Sequence, residues 1–140
     1  MTTEGDTLTT LADMLRANLG DLLAPADSFV DMFAEDGAME FPYAPDGVGK
    51  TLVGKPALSA HFNAIGGMLS ISAIKDVEVH RNDGDTVVVE FACDGMVVPT
   101  GKPYPQRYVS VIKLKDGKIV RYRDYWNPLV FSAAFEGVAL

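Results

Sequence analysis

The second half of the chain alternates strand-like segments with turn signals, and this pattern restricts the fold more than any other feature. Four segments carry the β-branched and aromatic residues that favour strands, at 70–80, 86–97, 104–115 and 118–126. Between them lie Asn82-Asp83-Gly84-Asp85, a loop at 99–103 that contains proline and glycine, and the hairpin signal Asp116-Gly117. Because strands joined by such short connections pair antiparallel, we predict an antiparallel sheet over this half.

The first half is predicted to be mainly helical. Three helices and a short strand are expected, the helices at 8–19, 25–36 and 56–65 and the strand at 39–43. The first helix has apolar residues at helical spacing, with Thr7 as its cap and Gly20 at its end. The second is expected to follow Pro25 and to stop near Asp36-Gly37. Helices followed by sequential hairpins indicate an α+β domain, in which N-terminal helices pack on one face of the sheet.

Composition indicates one globular domain over residues 1–140, with residues 1–6 and the last few expected to be flexible. The net charge of −7 disfavours nucleic acid as a partner, because an acidic surface repels phosphates. No apolar run is long enough to span a membrane, and the N-terminus lacks the pattern of a secretory signal. The single cysteine, Cys93, suits a reducing compartment, so we expect a cytoplasmic protein that does not act on membranes.

Side chains alternate between the two faces of a strand, so each predicted strand divides into two sets. In the last strand one set is Val120, Tyr122, Asp124 and Trp126, and it is apolar apart from one carboxylate. The other set contains Arg121 and Arg123 and is expected to meet solvent or a second subunit. The inner sets of neighbouring strands would together form the apolar wall of a pocket for a small hydrophobic ligand.

We expect the pocket to be lined by residues of the inner strand faces and of the third helix. The predicted substrate-binding residues are Met39, Phe41, Phe62, Phe91, Cys93, Gln106, Tyr122 and Trp126. Cys93 is interpreted as a small buried hydrophobic residue rather than a nucleophile, because nothing beside it would activate a thiolate.

Asp124 is the principal candidate for catalysis. A carboxyl group among aromatic side chains loses solvation, which raises its pKa and lets it act as a general acid or base near neutral pH. The alternative is a structural aspartate that is held by backbone N–H groups or by an arginine. Tyr108 and His61 are further candidates that could orient a substrate, although each could equally be an ordinary strand or core residue.

Other catalytic signatures are absent from the sequence. It contains no glycine-rich phosphate loop, no metal-ligand spacing of cysteine and histidine, and no serine-nucleophile elbow. We therefore expect no metal and no cofactor, because a protein carboxylate can move a proton alone.

Several short motifs resemble the SnoaL-like branch of the nuclear transport factor 2-like superfamily. They are Phe-Ala-Glu-Asp at 33–36, Gly-Lys-Pro at 54–56, Asp-Gly-Lys-Ile at 116–119 and Arg-Asp-Tyr-Trp-Asn-Pro at 123–128. The superfamily includes ketosteroid isomerases, polyketide cyclases and limonene-epoxide hydrolase. The resemblance covers nearly the whole chain and implies a cystatin-like half-barrel, in which helices and a curved sheet enclose a cone-shaped pocket.

The resemblance places one catalytic residue of the family on this chain. Asp124 matches the catalytic aspartate in the closing motif of limonene-epoxide hydrolase. Other catalytic positions of the hydrolase and the isomerase fall on unlike residues, namely Met39, Phe41, Phe91, Cys93 and the neighbourhood of Asp13.

Three functions are compatible with these features. The first is a cofactor-free isomerase, cyclase, lyase or hydrolase that acts on a hydrophobic ring compound through Asp124. The second is a non-catalytic module that binds a small apolar ligand in the same pocket. The third is an interaction domain that uses the outer sheet face. Because that face is partly apolar, and relatives of this fold are commonly dimers, we also expect a homodimer through it.

Overall fold

The computed structural model describes residues 4–46, 49–82 and 84–138, and for residues 4–6 only the backbone. The helices are α1 (Glu4–Leu19), α2 (Lys55–Gly66) and α3 (Pro128–Ala134). The strands are β1 (Phe33–Glu40), β2 (Thr51–Val53), β3 (Leu69–Arg81), β4 (Thr86–Val97), β5 (Lys102–Pro103), β6 (Gln106–Lys115) and β7 (Lys118–Trp126). The prediction of an α+β class is confirmed.

The strands form one curved, unclosed sheet in the order β2-β1-β7-β6-β4-β3, and β5 pairs with β4. The four long strands of the second half, β3, β4, β6 and β7, pair antiparallel as the turn signals predicted. The sheet as a whole is mixed rather than antiparallel, because β1 from the first half of the chain runs parallel to β7. A parallel pair needs a long crossover, and here most of the chain lies between the two strands.

The predicted second helix is wrong as well. Between 25 and 36 the structure has only a short 3-10 turn, Val30–Met32, and strand β1 begins directly after it at Phe33. Asp36-Gly37, which suggests a helix stop, lies inside this strand. A Cβ on Gly37 would come within 2.7 Å of the carbonyl oxygen of Ile119, so glycine allows β1 to approach β7 closely.

Helix α1 is anchored to strand β3 by a buried threonine. The helix begins at Glu4, so Thr7 is not its cap but lies within the first turns. The Thr7 hydroxyl donates a hydrogen bond to the Leu69 carbonyl at 3.2 Å and accepts one from the Ile71 N–H at 3.4 Å. Residues 1–6 and the last few were predicted to be flexible. Residues 1–3 and 139–140 lie outside the described residues, and residues 4–6 form the start of α1.

Phe29 lies at the centre of the core, where the helices meet the sheet. It is 1% exposed, and its ring makes edge contacts with Phe33, Phe62 and Tyr122, at centroid distances of 5.5, 5.4 and 5.9 Å. Such aromatic pairs add about 0.5–1.5 kcal/mol each beyond the area that they bury. This cluster fixes α2 and β1 against β7, and it forms the floor of the cavity that is described below.

Helix α3 follows the last strand and was not predicted. Asn127 caps it by accepting a hydrogen bond from the Leu129 N–H at 2.9 Å, and Pro128 occupies the first turn. The buried Phe131 of this helix stacks at 4.4 Å on Phe135, the residue that follows the helix, and at 4.9 Å on Trp126. The cavity is therefore covered from both ends of the chain and not only by N-terminal helices.

None of the helices in the described part of the chain has the length and apolar character needed to cross a membrane.

Candidate functional site

A largely apolar cavity of about 300 Å³ lies between the concave face of the sheet and the three helices. This volume is at the lower end of the range for small-molecule sites. Nine of the predicted site residues line it, namely Met39, Phe41, His61, Phe62, Phe91, Tyr108, Tyr122, Asp124 and Trp126. The structure thus places these nine residues together around one cavity.

Asp124 is the only carboxylate among the described residues of the cavity wall. It lies on β7 opposite Ser110 of β6, and its Oδ1 accepts a hydrogen bond from the Ser110 hydroxyl at 3.4 Å. The Tyr122 hydroxyl donates to the Ser110 oxygen at 3.0 Å, so these three side chains form a short chain of hydrogen bonds. Burial raises the pKa of Asp124 to about 8, although the Ser110 contact opposes the shift.

Two tyrosine hydroxyls accompany this carboxyl group. The Tyr108 ring stacks on Phe91 at a centroid distance of 4.8 Å. Burial raises the pKa of Tyr108 well above its usual value and raises the pKa of Tyr104 to about 12. Both phenols therefore keep their protons over the physiological pH range and can donate hydrogen bonds to a bound oxygen atom.

His61 contributes the only imidazole of the described cavity wall. Its ring lies 5.2 Å from that of Phe41 and 5.0 Å from that of Phe62. Burial lowers the pKa of His61, so the imidazole is neutral near pH 7 and can accept a proton. The cavity thus combines a carboxyl group that tends to hold its proton with an imidazole that tends to lack one.

Two predicted substrate-binding residues do not line the cavity. Gln106 is fully buried, and its amide is used by structural partners: Nε2 donates to the Tyr104 hydroxyl and to the Asn127 carbonyl, at 3.2 and 3.0 Å. Cys93 is 1% exposed, and its Sγ lies 3.9 Å from the Tyr104 carbonyl oxygen. Burial raises the pKa of Cys93, which agrees with its interpretation as a small hydrophobic residue.

Several cavity residues were missed from the sequence. Tyr104, Phe131 and Phe135 line the wall, and Ser110 supports Asp124 from behind. Tyr104 shares the strand parity of Tyr108, and the Asn-Pro pair at 127–128 is a helix-start signal, so both features could have been found. The position of Ser110 opposite Asp124 depends on a register shift in the β6–β7 hairpin that the sequence does not indicate.

The fold and the site define a class of protein. The SnoaL-like domain profile matches residues 5–122, and the chain belongs to this family, within the nuclear transport factor 2-like superfamily. The resemblance that was stated from four short motifs along the chain is therefore confirmed.

Particular relatives refine this placement. The chain is 46% identical over 111 residues to the uncharacterized protein YesE of Bacillus subtilis (strain 168), covering 79% of this chain and 76% of that protein. The crystal structure of a candidate isomerase from Bacillus subtilis superposes with a TM-score of 0.77 at 42% identity, over 92% of this chain and 88% of the other. A candidate polyketide cyclase from Xanthomonas campestris pv. campestris has a TM-score of 0.68 at 22% identity, over 94% and 98%, and shows the shared fold alone.

Proposed function

We propose that this protein is an enzyme that uses acid–base chemistry on a small, mainly hydrophobic ring compound, with Asp124 as the principal acid. The observation that carries the proposal is a buried carboxyl group, with its pKa raised to about 8, in the wall of an apolar cavity. Groups with strongly perturbed pKa values in a cavity often mark catalytic sites. The candidate isomerase among the similar structures is compatible with this reaction class.

Asp124 would act first as a proton donor. At pH 7 a group with a pKa near 8 is about tenfold more often protonated than ionised. Its O–H, together with the hydroxyl of Tyr108, can donate to the carbonyl oxygen of a bound substrate and stabilise the negative charge that develops there. A site that is largely apolar strengthens such hydrogen bonds because little water competes for them.

His61 would act as the complementary base. The neutral imidazole accepts a proton from the carbon next to the carbonyl, and the electrons of that C–H bond form the new carbon–carbon double bond. The carbonyl oxygen then takes the Asp124 proton, which gives an enol and leaves a carboxylate. Return of a proton to a different carbon gives an isomer, while attack of the enol carbon on an electrophile within the substrate closes a ring. These side chains can move the protons without a cofactor.

The proposal is tested by exchange of carbon-bound hydrogen, which requires no knowledge of the product. We expect the protein to accelerate deuterium exchange at the α-carbons of a bicyclic ketone such as 2-tetralone in D2O, followed by ¹H NMR. Asp124→Asn and His61→Gln should each lower the exchange rate by about 100-fold or more, the usual contribution of a general acid or base.

Asp94→Asn is the matched control. It makes the same chemical change on an exposed residue of β4 and should leave the exchange rate unchanged. Equal rates for the wild type and Asp124→Asn would contradict the assignment of Asp124 as the acid.

A non-catalytic binding module is the second candidate. It is favoured by the hydrogen bond that the Asp124 carboxylate receives from Ser110, because a partnered group can serve the fold alone. The two candidates differ in one result. If a panel of ring ketones quenches the fluorescence of Trp126 with saturation and none undergoes exchange above the background rate, the binding module is the better description.

A further inference from the structure

An imidazole and two carboxylates lie together on the outer face of the sheet, away from the cavity. Glu78 of β3 is directly opposite Glu90 of β4, and His80 is two residues further along β3, opposite Val88. Phe91 points into the cavity, so the adjacent Glu90 points to the other face. One possible ligand atom of each residue lies within 4.8 Å of those of the other two.

A bulge in β3 creates this arrangement. The register shifts between Lys75 and Glu78, where β3 has one residue more than β4, and Asp76 adopts a positive φ of 56°. Without the extra residue, Glu78 and His80 would point to the opposite face of the sheet, because side chains alternate between the two faces along a strand. Bulges are specific features of a strand that reorient side chains, often next to functional sites.

The cluster places two glutamates opposite each other, and the ion pair recorded within it among the described residues joins His80 to Glu90 when the imidazole is protonated. Glu78 and Glu90 face each other across two paired strands, where like charges repel. His80 Nε2 lies 2.6 Å from Glu90 Oε2. Among the described residues, no lysine or arginine forms an ion pair with either glutamate: nearby Lys75 is paired with Asp94, and Arg107 with Asp76.

We propose that Glu78, His80 and Glu90 bind a divalent transition-metal ion such as Zn²⁺. One imidazole nitrogen and two carboxylate oxygens form a ligand set that this ion accepts, at distances of about 2.0–2.2 Å. Ligand atoms of a tetrahedral ion at these distances lie about 3.3–3.6 Å apart. His80 Nε2 and Glu90 Oε2, now 2.6 Å apart, would therefore have to separate to admit the ion, and Glu78 would have to approach, through changes of side-chain rotamer. The imidazole favours Zn²⁺, Ni²⁺ or Cu²⁺ over Mg²⁺ and Ca²⁺, which prefer oxygen ligands only.

Three protein ligands leave the fourth position of the ion open to water or to a further ligand. The ion would also link β3, an edge strand of the sheet, to its neighbour β4. Thr7 anchors α1 to β3, and residues of β3 line one side of the cavity. The ion would therefore stabilise a strand that forms part of the cavity wall.

Isothermal titration with ZnCl₂ of the full chain, without an affinity tag, tests the proposal. We expect one ion per chain, and a rise in Tm with Zn²⁺ concentration because the ion binds the folded state. His80→Asn and Glu78→Gln should each weaken Zn²⁺ binding by about tenfold or more, since even the loss of an outer-sphere partner has such effects. Both residues are exposed, so circular dichroism should show intact folds.

Glu136→Gln serves as the control, because it removes one negative charge from an exposed residue outside the cluster without removing a ligand or freeing Lys75, and it should bind Zn²⁺ like the wild type. Three results would overturn the proposal. The first is no saturable Zn²⁺ binding, and the second is equal affinity of His80→Asn and the wild type. The third is loss of Zn²⁺ binding in His61→Asn, which would place the ion in the cavity rather than on the outer face.

Discussion

At the scale of single residues, Asp124 is the group whose charge the fold disfavours most clearly. Its pKa rises from the ordinary 3.8 to about 8 because burial removes water from the carboxylate. The folded state therefore binds the proton more tightly than the unfolded state does. Between these two pKa values the unfolded chain loses its proton while the folded chain keeps it, so the free energy of unfolding falls as pH rises. Below about pH 4 this penalty is absent, and above about pH 8 it is complete.

Asp124→Asn should remove this pH dependence. We expect the variant to equal the wild type in stability near pH 4 and to exceed it increasingly towards pH 8, because asparagine carries no charge to desolvate. Each pH unit in this window can contribute up to about 1.4 kcal/mol. Urea unfolding at pH 5, 6, 7 and 8 measures the difference.

A clear loss of stability in Asp124→Asn at pH 7 would show that the carboxylate has a structural role. In that case its partners would be left unpaired, at a cost of about 1–3 kcal/mol each. Asp94→Asn, which changes an exposed carboxylate, should show little change at any of these pH values.

The sequence predicted Asp124 correctly as a cavity residue because Tyr122, Asp124 and Trp126 share one strand parity. The face assignment failed four to five residues before Asp124 on the same strand. Ile119 was assigned to the outer face and Val120 to the inner face, yet Ile119 is fully buried and Val120 is not. The register shift between β6 and β7 changes the alternation at this point, and such a shift depends on pairing between strands rather than on local sequence.

At the scale of elements, one buried side chain, Gln106, holds the start of the short helix α3. The Oε1 atom of Gln106 accepts a hydrogen bond from the Asn127 N–H at 2.9 Å, and Nε2 donates to the Asn127 carbonyl at 3.0 Å. Asn127 is the residue at which β7 ends and α3 begins. Gln106 also holds the Tyr104 hydroxyl, so it positions both the helix and a polar group of the cavity.

Gln106→Leu should loosen α3 while the rest of the sheet stays folded. The leucine fills the space but leaves the Asn127 groups and the Tyr104 hydroxyl without this partner, at about 1–3 kcal/mol for each buried group. We expect a lower Tm and faster hydrogen exchange of the Phe131 and Phe135 amides. These amides are bonded to the carbonyls of Asn127 and Phe131.

The amides of α1 provide the internal control for this experiment, since that helix is held to β3 by Thr7 and not by Gln106. Unchanged exchange in α3 would show that its aromatic stacking suffices to hold it. Equal acceleration in α1 and α3 would show a global loss of stability rather than a local one.

Several elements with local signals were predicted, although helix α3 was missed despite its signal, and strand β1, which depends on distant partners, was not predicted. The Asp116-Gly117 turn is a local signal that pairs β6 with β7 independently of the rest of the chain. Strand β1 has no such signal, because Phe29, Val30 and Phe33 are also compatible with a helix face. The segment is a strand because it pairs with β7, more than 80 residues later, and with β2. Helix α3 did have a local signal, the Asn-Pro start at 127–128 followed by apolar residues three and four apart.

At the scale of the whole molecule, the two faces of the sheet differ in what covers them. The concave face holds the cavity beneath the helices. On the outer face, Val88 of β4 pairs with Val111 of β6, and Val109 lies two residues away on the same face. Val109 is 38% exposed, and Arg107 and Arg121 are exposed around it. Glu90 lies directly opposite Val109 on this face, so the patch combines valines with charged side chains, as many protein interfaces do.

We therefore propose that the protein is a homodimer through the outer face, centred on these valines. Stable interfaces bury about 800 Å² on each partner, and a sheet face of this length can supply such an area. Val109→Asp places a charge at the centre of the interface, where it would have to be desolvated without a partner. Val98→Asp makes the same change at a valine that is 47% exposed in the loop after β4, and it is the matched control.

Light scattering coupled to size exclusion at micromolar concentration measures the outcome. The wild type and Val98→Asp should elute with twice the mass of one chain, and Val109→Asp with the mass of a single chain. Because only association links stability to protein concentration, the Tm of the wild type should also rise with concentration, while that of Val109→Asp should not. A wild-type mass of one chain would refute the dimer. A dimeric Val109→Asp variant would show that the interface does not include the valines of β4 and β6.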